Sequence, residues 1–434
     1  MSSPALDSLL AAQPNWIAGD GSDLAARRSA GLEQLRLQGL PTLRDEDWRY
    51  TSLKILEKQR LQPIHQSDVV SNETLESTFL SDLSGPRLVF VDGCLVPELS
   101  ATQNLPDGVR IGELTDTVTA DVSLCAALGS CLPAQGHGFI PLNEAYLGKG
   151  ACIHIGRNVH LEQPVQLYYI NSGTVAGAAV LPRNLLVLEE GAEAVVLERY
   201  IGLGDAVSFT DVQTEVCLGA NAGLQHYLLQ EETQAAFHIG GLYVRQYQDS
   251  RLVSHVIHLG GRLVRRDLDV RLCGTGATCE LNGLYVGTGR QHIDNHTVVH
   301  HEQPQGTSKQ LYKGMLDDRS RAVFHGRVVV SEGASKTDAQ QNNRNLLLSK
   351  FAEVDSKPQL EIYNDDVKCS HGAAVGQLDT DALFYLRSRA IDKALARRIL
   401  TVAFAREVVE KIPLPALRKH ITEQLESSLL RGLH

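Results

Sequence analysis

From about Ala151 onward the chain is a long series of short runs in which apolar and polar positions alternate. ACIHIG, VQLYYI, NLLVLEEG, EAVVLERYIG, LQHYLLQ, RLVSHVIHLGG, ATCELNGLYVG and AVFHGRVVVSEG are examples, each bounded by Gly, Asn or Asp. A period of two between turn residues predicts strands, and no helical pattern of useful length interrupts the series. A turn, a small residue and then an alternating run recur at Ala192, Ala220, Ser250 and Ala277, with gaps of 28, 30 and 27 residues. A repeat in this range points to a solenoid, in which each unit buries its apolar face against the next. The competing architecture, a β-sandwich, needs more regular hairpin turns and fewer exposed hydrophilic strands. The pattern therefore predicts a mainly β chain whose core, residues 85–370, is a right-handed parallel β-helix.

The flanks read differently. Residues 1–84 form a helical N-terminal region and linker. LAARRSAGLEQLRLQGL places Leu24, Leu32, Leu35 and Leu40 at helical spacing, and Gly39 and Pro41 end it. Trp48 and Tyr50, in RDEDWRYTSL, are expected to anchor this region to the main body. Residues from about Gln62 to Ser84 read as a loose linker with a short helix. RLVFVDGCLVPEL predicts two short strands about an Asp-Gly turn, and VSLCAALGSCL and FIPLNEAYL two short helical pieces. Residues 371–434 form a C-terminal helical domain. Asp379 and Thr380 begin one helix, Asp392 caps a second, and Pro413 and Pro415 stop it, Pro415 opening the last. In the second helix Leu395, Ile399, Val402, Val409 and Ile412 lie near one face. A β-helix has open ends with unpaired backbone groups, and both helical flanks are expected to cap them.

Composition narrows the function. A net charge of -10 and a pI near 5.9 over 434 residues make nucleic acid an unsuitable partner. No apolar run is long enough to span a bilayer, and the N-terminal residues lack a basic start followed by an apolar stretch, so a cytoplasmic location is expected. In that reducing compartment the 8 Cys are expected as thiols, and none forms a CxxC pair. There is no GxxxxGK[ST] loop and no G-x-S-x-G elbow. His292, His296 and His300, four apart with His301 adjacent, would form a metal face on a helix. The run sits among strands, however, and reads as a solvated or interface patch.

The chemistry concentrates in PQLEIYNDDVKCSHGAAVGQLDTDALFYLRSRA, residues 358–390. Leu360, Ile362 and Val367 suggest a strand, ended by Gly372. Cys369 and His371 are two apart, so a strand places both on one face. Thiolate and imidazole suit iron–sulfur clusters, zinc and copper. One chain offers too few ligands here for a closed site, so further ligands must come from elsewhere. Lys368 favours a thiolate at Cys369, and Asp365 and Asp366 oppose it. Downstream, Phe384, Leu386, Ile391, Leu395, Ile399 and Phe404 give the tail more apolar surface than a cap needs, and they are expected to bind a partner.

DDVKCSHGAAVGQLD followed by ALFYLRSRA, the upstream KTDAQQNNRNLLLSKFAEVDSKPQLEIY and the N-terminal LRDEDWRYTSL together resemble the SufB/SufD family of the SUF iron–sulfur cluster assembly scaffold. The long C-terminal block is specific, because a shared fold alone would not reproduce it. One departure is Ala390, at a helix-end position where the family usually has Gly. The resemblance implies a β-helix and a non-enzymatic scaffold subunit. It implies pairing with a homologous subunit, SufB, through the β-helices, and binding of the ATPase SufC by the tail. A homodimer is the alternative pairing in isolation. A nascent iron–sulfur cluster would be held transiently at the subunit interface by His371 and Cys369, with none expected in the isolated chain. A polysaccharide-active β-helix enzyme is the competing class; the thiol–imidazole pair and the absence of an export signal argue against it.

Overall fold

The computed structural model describes residues 3–12, 22–64, 70–133 and 136–431. Its centre is a parallel β-solenoid of about eight coils. The first sheet stacks Ala151–Ile155, Arg183–Leu188, Ser208–Leu218, Phe237–Gln246, Leu263–Leu272, His292–His301, Arg321–Val330 and Glu353–Ile362. The second stacks Arg87–Val91, Val165–Asn171, Glu193–Gly202, Gly223–Glu231, Arg251–His258, Thr278–Gly287, Thr307–Leu316, Asp338–Leu347 and Lys368–Gly376. Pairing from coil to coil is parallel throughout, which excludes the sandwich. Antiparallel pairs occur only near the N-terminal end among the described strands, at Cys94–Leu95 on Arg87–Val91 and at Val109–Glu113 on Ala151–Ile155.

The repeating corner has a simple cause. Gly191, Asn221, Asp249, Gly276, Gln305 and Lys336 each take a left-handed conformation, with φ between 54° and 74°. Each is followed by a small buried residue: Ala192, Ala222, Ser250, Ala277, Gly306 and Thr337. The left-handed residue turns the chain, and the small one lets consecutive coils stack closely. The corner expected at Ala220 is therefore Ala222, because Asn221 supplies the turn.

Between the sheets, inward rows form one apolar core from Phe90 and Ile153 through Val216, Val244 and Val270 to Phe324. The lumen also holds polar groups. Glu198 lies 3.3 Å from His226 and accepts from the Thr214 hydroxyl at 2.9 Å, all fully buried. Burial pushes the Glu198 carboxyl up, but the His226 contact and the nearby Arg266 charge outweigh it and hold it down, to about 2.

Helices α1 (Pro4–Ala11), α2 (Ser22–Gln38), α3 (Asn72–Glu76), α4 (Leu114–Thr119), α5 (Val122–Ala127) and α6 (Phe139–Ala145) belong to the N-terminal region. Gly39, at φ 66°, ends α2, as expected. Leu9, Leu35, Trp48, Phe139 and Leu142 pack on Phe209, Phe237, Ile239 and Leu263 of the first sheet. Trp48 is the anchor it was expected to be: it is buried, with the Arg265 guanidinium 3.9 Å from its ring centroid. Tyr50 is not, being 38% exposed.

Helices α7 (Thr380–Ser388), α8 (Lys393–Val409) and α9 (Pro415–Arg431) form the tail. Asp379 and Asp392 cap α7 and α8, each accepting two backbone N–H bonds. The tail does not cap the solenoid. Val408, Val409, Ile412, Leu417, Ile421 and Leu425 lie instead on Tyr227, Leu229, Ile257, Leu284 and Met315, on the outer face of the second sheet. Lys411 to Glu280 and His420 to Glu231, both at 2.6 Å, pin it there. The side face wins because the outward rows of those coils are apolar and need cover. No helix among the described residues is long and apolar enough to cross a membrane.

Candidate functional site

With the tail on its flank, the C-terminal end of the solenoid is open. Glu353–Ile362 ends the first sheet and Lys368–Gly376 ends the second. Each pairs along one edge only among the described strands, leaving a row of backbone donors and acceptors along the other. The second of these strands runs through Gly372 to Gly376, so Cys369 and His371 lie within a strand and not at its end.

Register gives the direction of the side chains. Cys369, His371, Ala373 and Val375 sit opposite Ala339, Gln341, Asn343 and Asn345. Those four are buried in the lumen, where Ser356 donates to Asn343 across the sheets at 2.8 Å. Cys369 and His371 therefore share the inward row, as their spacing predicts. The last coil lacks a neighbour, so this inward row faces solvent. His371 is exposed, and Cys369 is half-buried beside Val328, Val330 and Ala339. On the opposite sheet the inward row is Val354, Ser356, Leu360 and Ile362, placed by Ala322, Phe324, Val328 and Val330. Ile362 is 42% and Val375 52% exposed, positions that any further coil would bury.

Partial burial holds the Cys369 thiol above its ordinary value, and the Asp338 charge acts in the same direction. Lys368, adjacent in sequence, points to the other face and does not activate it. A thiol so raised keeps its proton at neutral pH and is not set up for free thiolate chemistry.

The tail residues separate into two groups. Phe404 is half-buried on the solenoid, with the Lys313 ammonium 4.4 Å from its ring centroid and donating to its carbonyl at 3.0 Å. Leu386 and Ile391 are half-buried at the α7–α8 turn, where the Ile391 N–H bonds the Leu386 carbonyl. Phe384 is 74% exposed, and Leu395 and Ile399 are 37% and 40% exposed. The stripe expected on α8 is rotated. The helix buries Ala396, Thr401, Ala405, Val408 and Val409 and turns Leu395 and Ile399 outward. Small residues let α8 approach the sheet closely, and its larger apolar side chains remain available.

The histidine run stands apart from this end. His292, His296 and His300 project from the outer face of the first sheet, toward the N-terminal region or neighbouring acids. His292 bonds Thr51 at 2.8 Å, His296 lies 3.0 Å from Asp294, and His300 3.5 Å from Asp269. It is an interface patch, and His301 points into the lumen to Ser308.

Comparison with known proteins agrees with the ends of the chain and with its centre. Residues 168–404 match the family described as SUF system FeS cluster assembly, SufBD core domain. Residues 7–167 match the SufBD protein N-terminal region. The chain is similar to the iron–sulfur cluster assembly protein SufD of Escherichia coli, at 35% identity over 95% of both chains. It is also similar to an iron–sulfur cluster assembly SufBD family protein of Synechocystis, at 32% over 93% of this chain and 91% of the relative. Protein ABCI7, chloroplastic, of Arabidopsis thaliana is 31% identical over 93% of this chain and 85% of its own.

Proposed function

Because the chain belongs to the SufBD family, we propose that it is a scaffold subunit for iron–sulfur cluster assembly, without turnover of its own. It joins a homologous subunit, SufB, end to end through the open coil, and holds a nascent cluster there with His371 and Cys369. The ATPase SufC docks on the outward face of α7 and α8, at Phe384, Leu395 and Ile399.

The observation that carries this reading is the exposed inward row of the last coil. A lumen-facing thiol and imidazole lie between two strand edges and beside Ile362 and Val375, apolar groups that need cover. A second solenoid supplies all of it at once: backbone partners, apolar burial and further ligands. A glycan-active enzyme would instead need paired carboxylates in a cleft, whereas the lumen-facing row of the last strand carries Cys369, His371, Ala373 and Val375.

The test is anaerobic reconstitution with the homologous subunit and the ATPase, read by iron, sulfide and visible absorbance. His371→Ala is expected to lower cluster yield by about tenfold or more, since even outer partners of a ligand are worth 10–100-fold. Cys369→Ser should lower it less. Wild-type yield in the His371→Ala complex would reject the site, and an intact complex without cluster would confine the fault to ligation.

A further inference from the structure

We propose a second metal site, distinct from the open end: His296, His325 and Asp47 bind a divalent transition ion such as Zn2+, Co2+ or Fe2+ on the outer face of the first sheet. Ligand atoms of all three lie within 4.8 Å of one another, and they are the one such group of three among the described residues.

The fold brings them together from distant places. His296 and His325 face each other in register on adjacent strands, their rings 4.8 Å apart between centroids and 77° between planes. Asp47 comes from the short 3-10 turn Glu46–Trp48 laid over them. That turn is fixed on both sides of the carboxylate. Trp48 is buried next to it, and Arg265 donates to the Asp47 carbonyl at 2.7 Å. Asp47 Oδ1 stands 3.7 Å from His325 Nδ1, close to the separation of two ligands on one tetrahedral ion.

The remaining ring nitrogen of His325 is held as a metal-bound histidine requires. His325 Nε2 is 2.6 Å from Gln359 Oε1, which leaves Nδ1 as the lone-pair nitrogen on the Asp47 side. His296 Nε2 is 3.0 Å from Asp294 Oδ1 and 3.2 Å from Arg265 Nη1. The two Nη1 hydrogens of Arg265 are committed to Asp47 O and Asp294 Oδ2, at 2.7 and 2.8 Å. Arg265 is a pure donor, so His296 Nε2 turns its lone pair toward Nη1 as the weakest of three acceptors there, the one an ion would displace. The Gln359 acceptor behind His325 fixes its tautomer and raises its basicity.

The ion's open positions would face open cavities. All three residues line both of two adjoining cavities, of about 680 and 500 Å³. Two flanking cations are each paired with acids, Arg265 with Asp267 and Asp294 at 2.8 Å each and Lys357 with Glu46 at 3.0 Å. Two imidazoles and one carboxylate with vacant positions select borderline divalent ions. They disfavour Ca2+ and Mg2+, which want oxygen, and Cu+, which wants sulfur.

The experiment uses the untagged full chain, stripped with a chelator and titrated with Co2+, then back-titrated with Zn2+. One Co2+ per chain is expected, with visible d–d bands, displaced by Zn2+, and without thiolate-to-cobalt charge transfer. His296→Ala and His325→Ala should each weaken binding at least about tenfold, and Gln359→Leu by a comparable factor. Asp47→Asn, isosteric and on an exposed side chain, keeps the test open should a histidine variant fail to fold. Cys369→Ser and His371→Ala should leave the titration unchanged. Absence of saturable binding overturns the site. So does binding that survives Asp47→Asn and the histidine changes, or a spectrum dominated by thiolate charge transfer.

Discussion

Ala390 is the residue at which local strain is plainest. It sits after α7 at φ 62°, a conformation that costs a non-glycine residue about 1–2 kcal/mol. Ala390→Gly removes that strain and loses about 0.4–1 kcal/mol through the freer unfolded chain. The net expectation is a modest gain, up to about 1 kcal/mol. It is read as slower hydrogen exchange at the Ile391 amide, and faster exchange would refute it. His255 and His301 are a second case. Burial pulls both imidazoles down to about 4, from an ordinary 6.5. Between those values the unfolded chain binds protons that the native chain refuses, so stability is full above pH 6.5 and falls as pH drops toward 4. Each unit is worth about 1.4 kcal/mol. Urea midpoints at pH 7.5, 6 and 5 should decline in that order, and His301→Gln should flatten the decline. A variant profile parallel to the wild type would show that His301 does not titrate this way.

At the scale of elements, α8 presents two faces with opposite consequences. Leu395 and Ile399 touch solvent, whereas Phe404 rests on the solenoid under Lys313. The pair Leu395→Asp and Ile399→Asp should abolish capture of the ATPase and change stability by no more than about 0.5 kcal/mol. Phe404→Ala should destabilise by about 2–3 kcal/mol through lost packing. Calorimetry and pull-down on the same variants separate the outcomes: retained ATPase binding in the double variant would remove α8 from the docking surface.

For the whole molecule, the open coil and the flanking tail set where the structure is weakest. The amides of Glu353–Ile362 and Lys368–Gly376 have one neighbouring coil, while those of Leu263–Leu272 and Thr278–Gly287 have two. In a stacked array the end unit frays first. Hydrogen exchange should therefore be fastest in the two terminal strands of the isolated chain and should slow on pairing with the homologous subunit. Equal rates across all coils would contradict an open end. Truncation after Gly376 removes α7, α8 and α9 and uncovers Tyr227, Leu284 and Met315. The shortened chain should aggregate, which light scattering would show; a soluble monomer with unchanged circular dichroism would mean the tail contributes no cover.

The solenoid was legible in the sequence, because alternation and a small residue at each corner are one-dimensional consequences of stacking coils. So were the Asp-Gly hairpin, the helix caps at Asp379 and Asp392 and the shared face of Cys369 and His371, all set by contacts within a few residues or by strand period; the Trp48 anchor was legible from its size and apolar character alone. What faces what was decided only in three dimensions. The tail lies on the second sheet because outward-facing Tyr227, Leu229 and Met315 needed cover, and no local pattern in the tail encodes that. α8 buries alanines and exposes Leu395 and Ile399 because close approach to the sheet outweighs side-chain size. His325 was missed, although it follows His296 by one coil and the repeat itself aligns them. Asp47 carries no such signal: a turn early in the chain is laid over a late coil by the burial of its neighbour, Trp48.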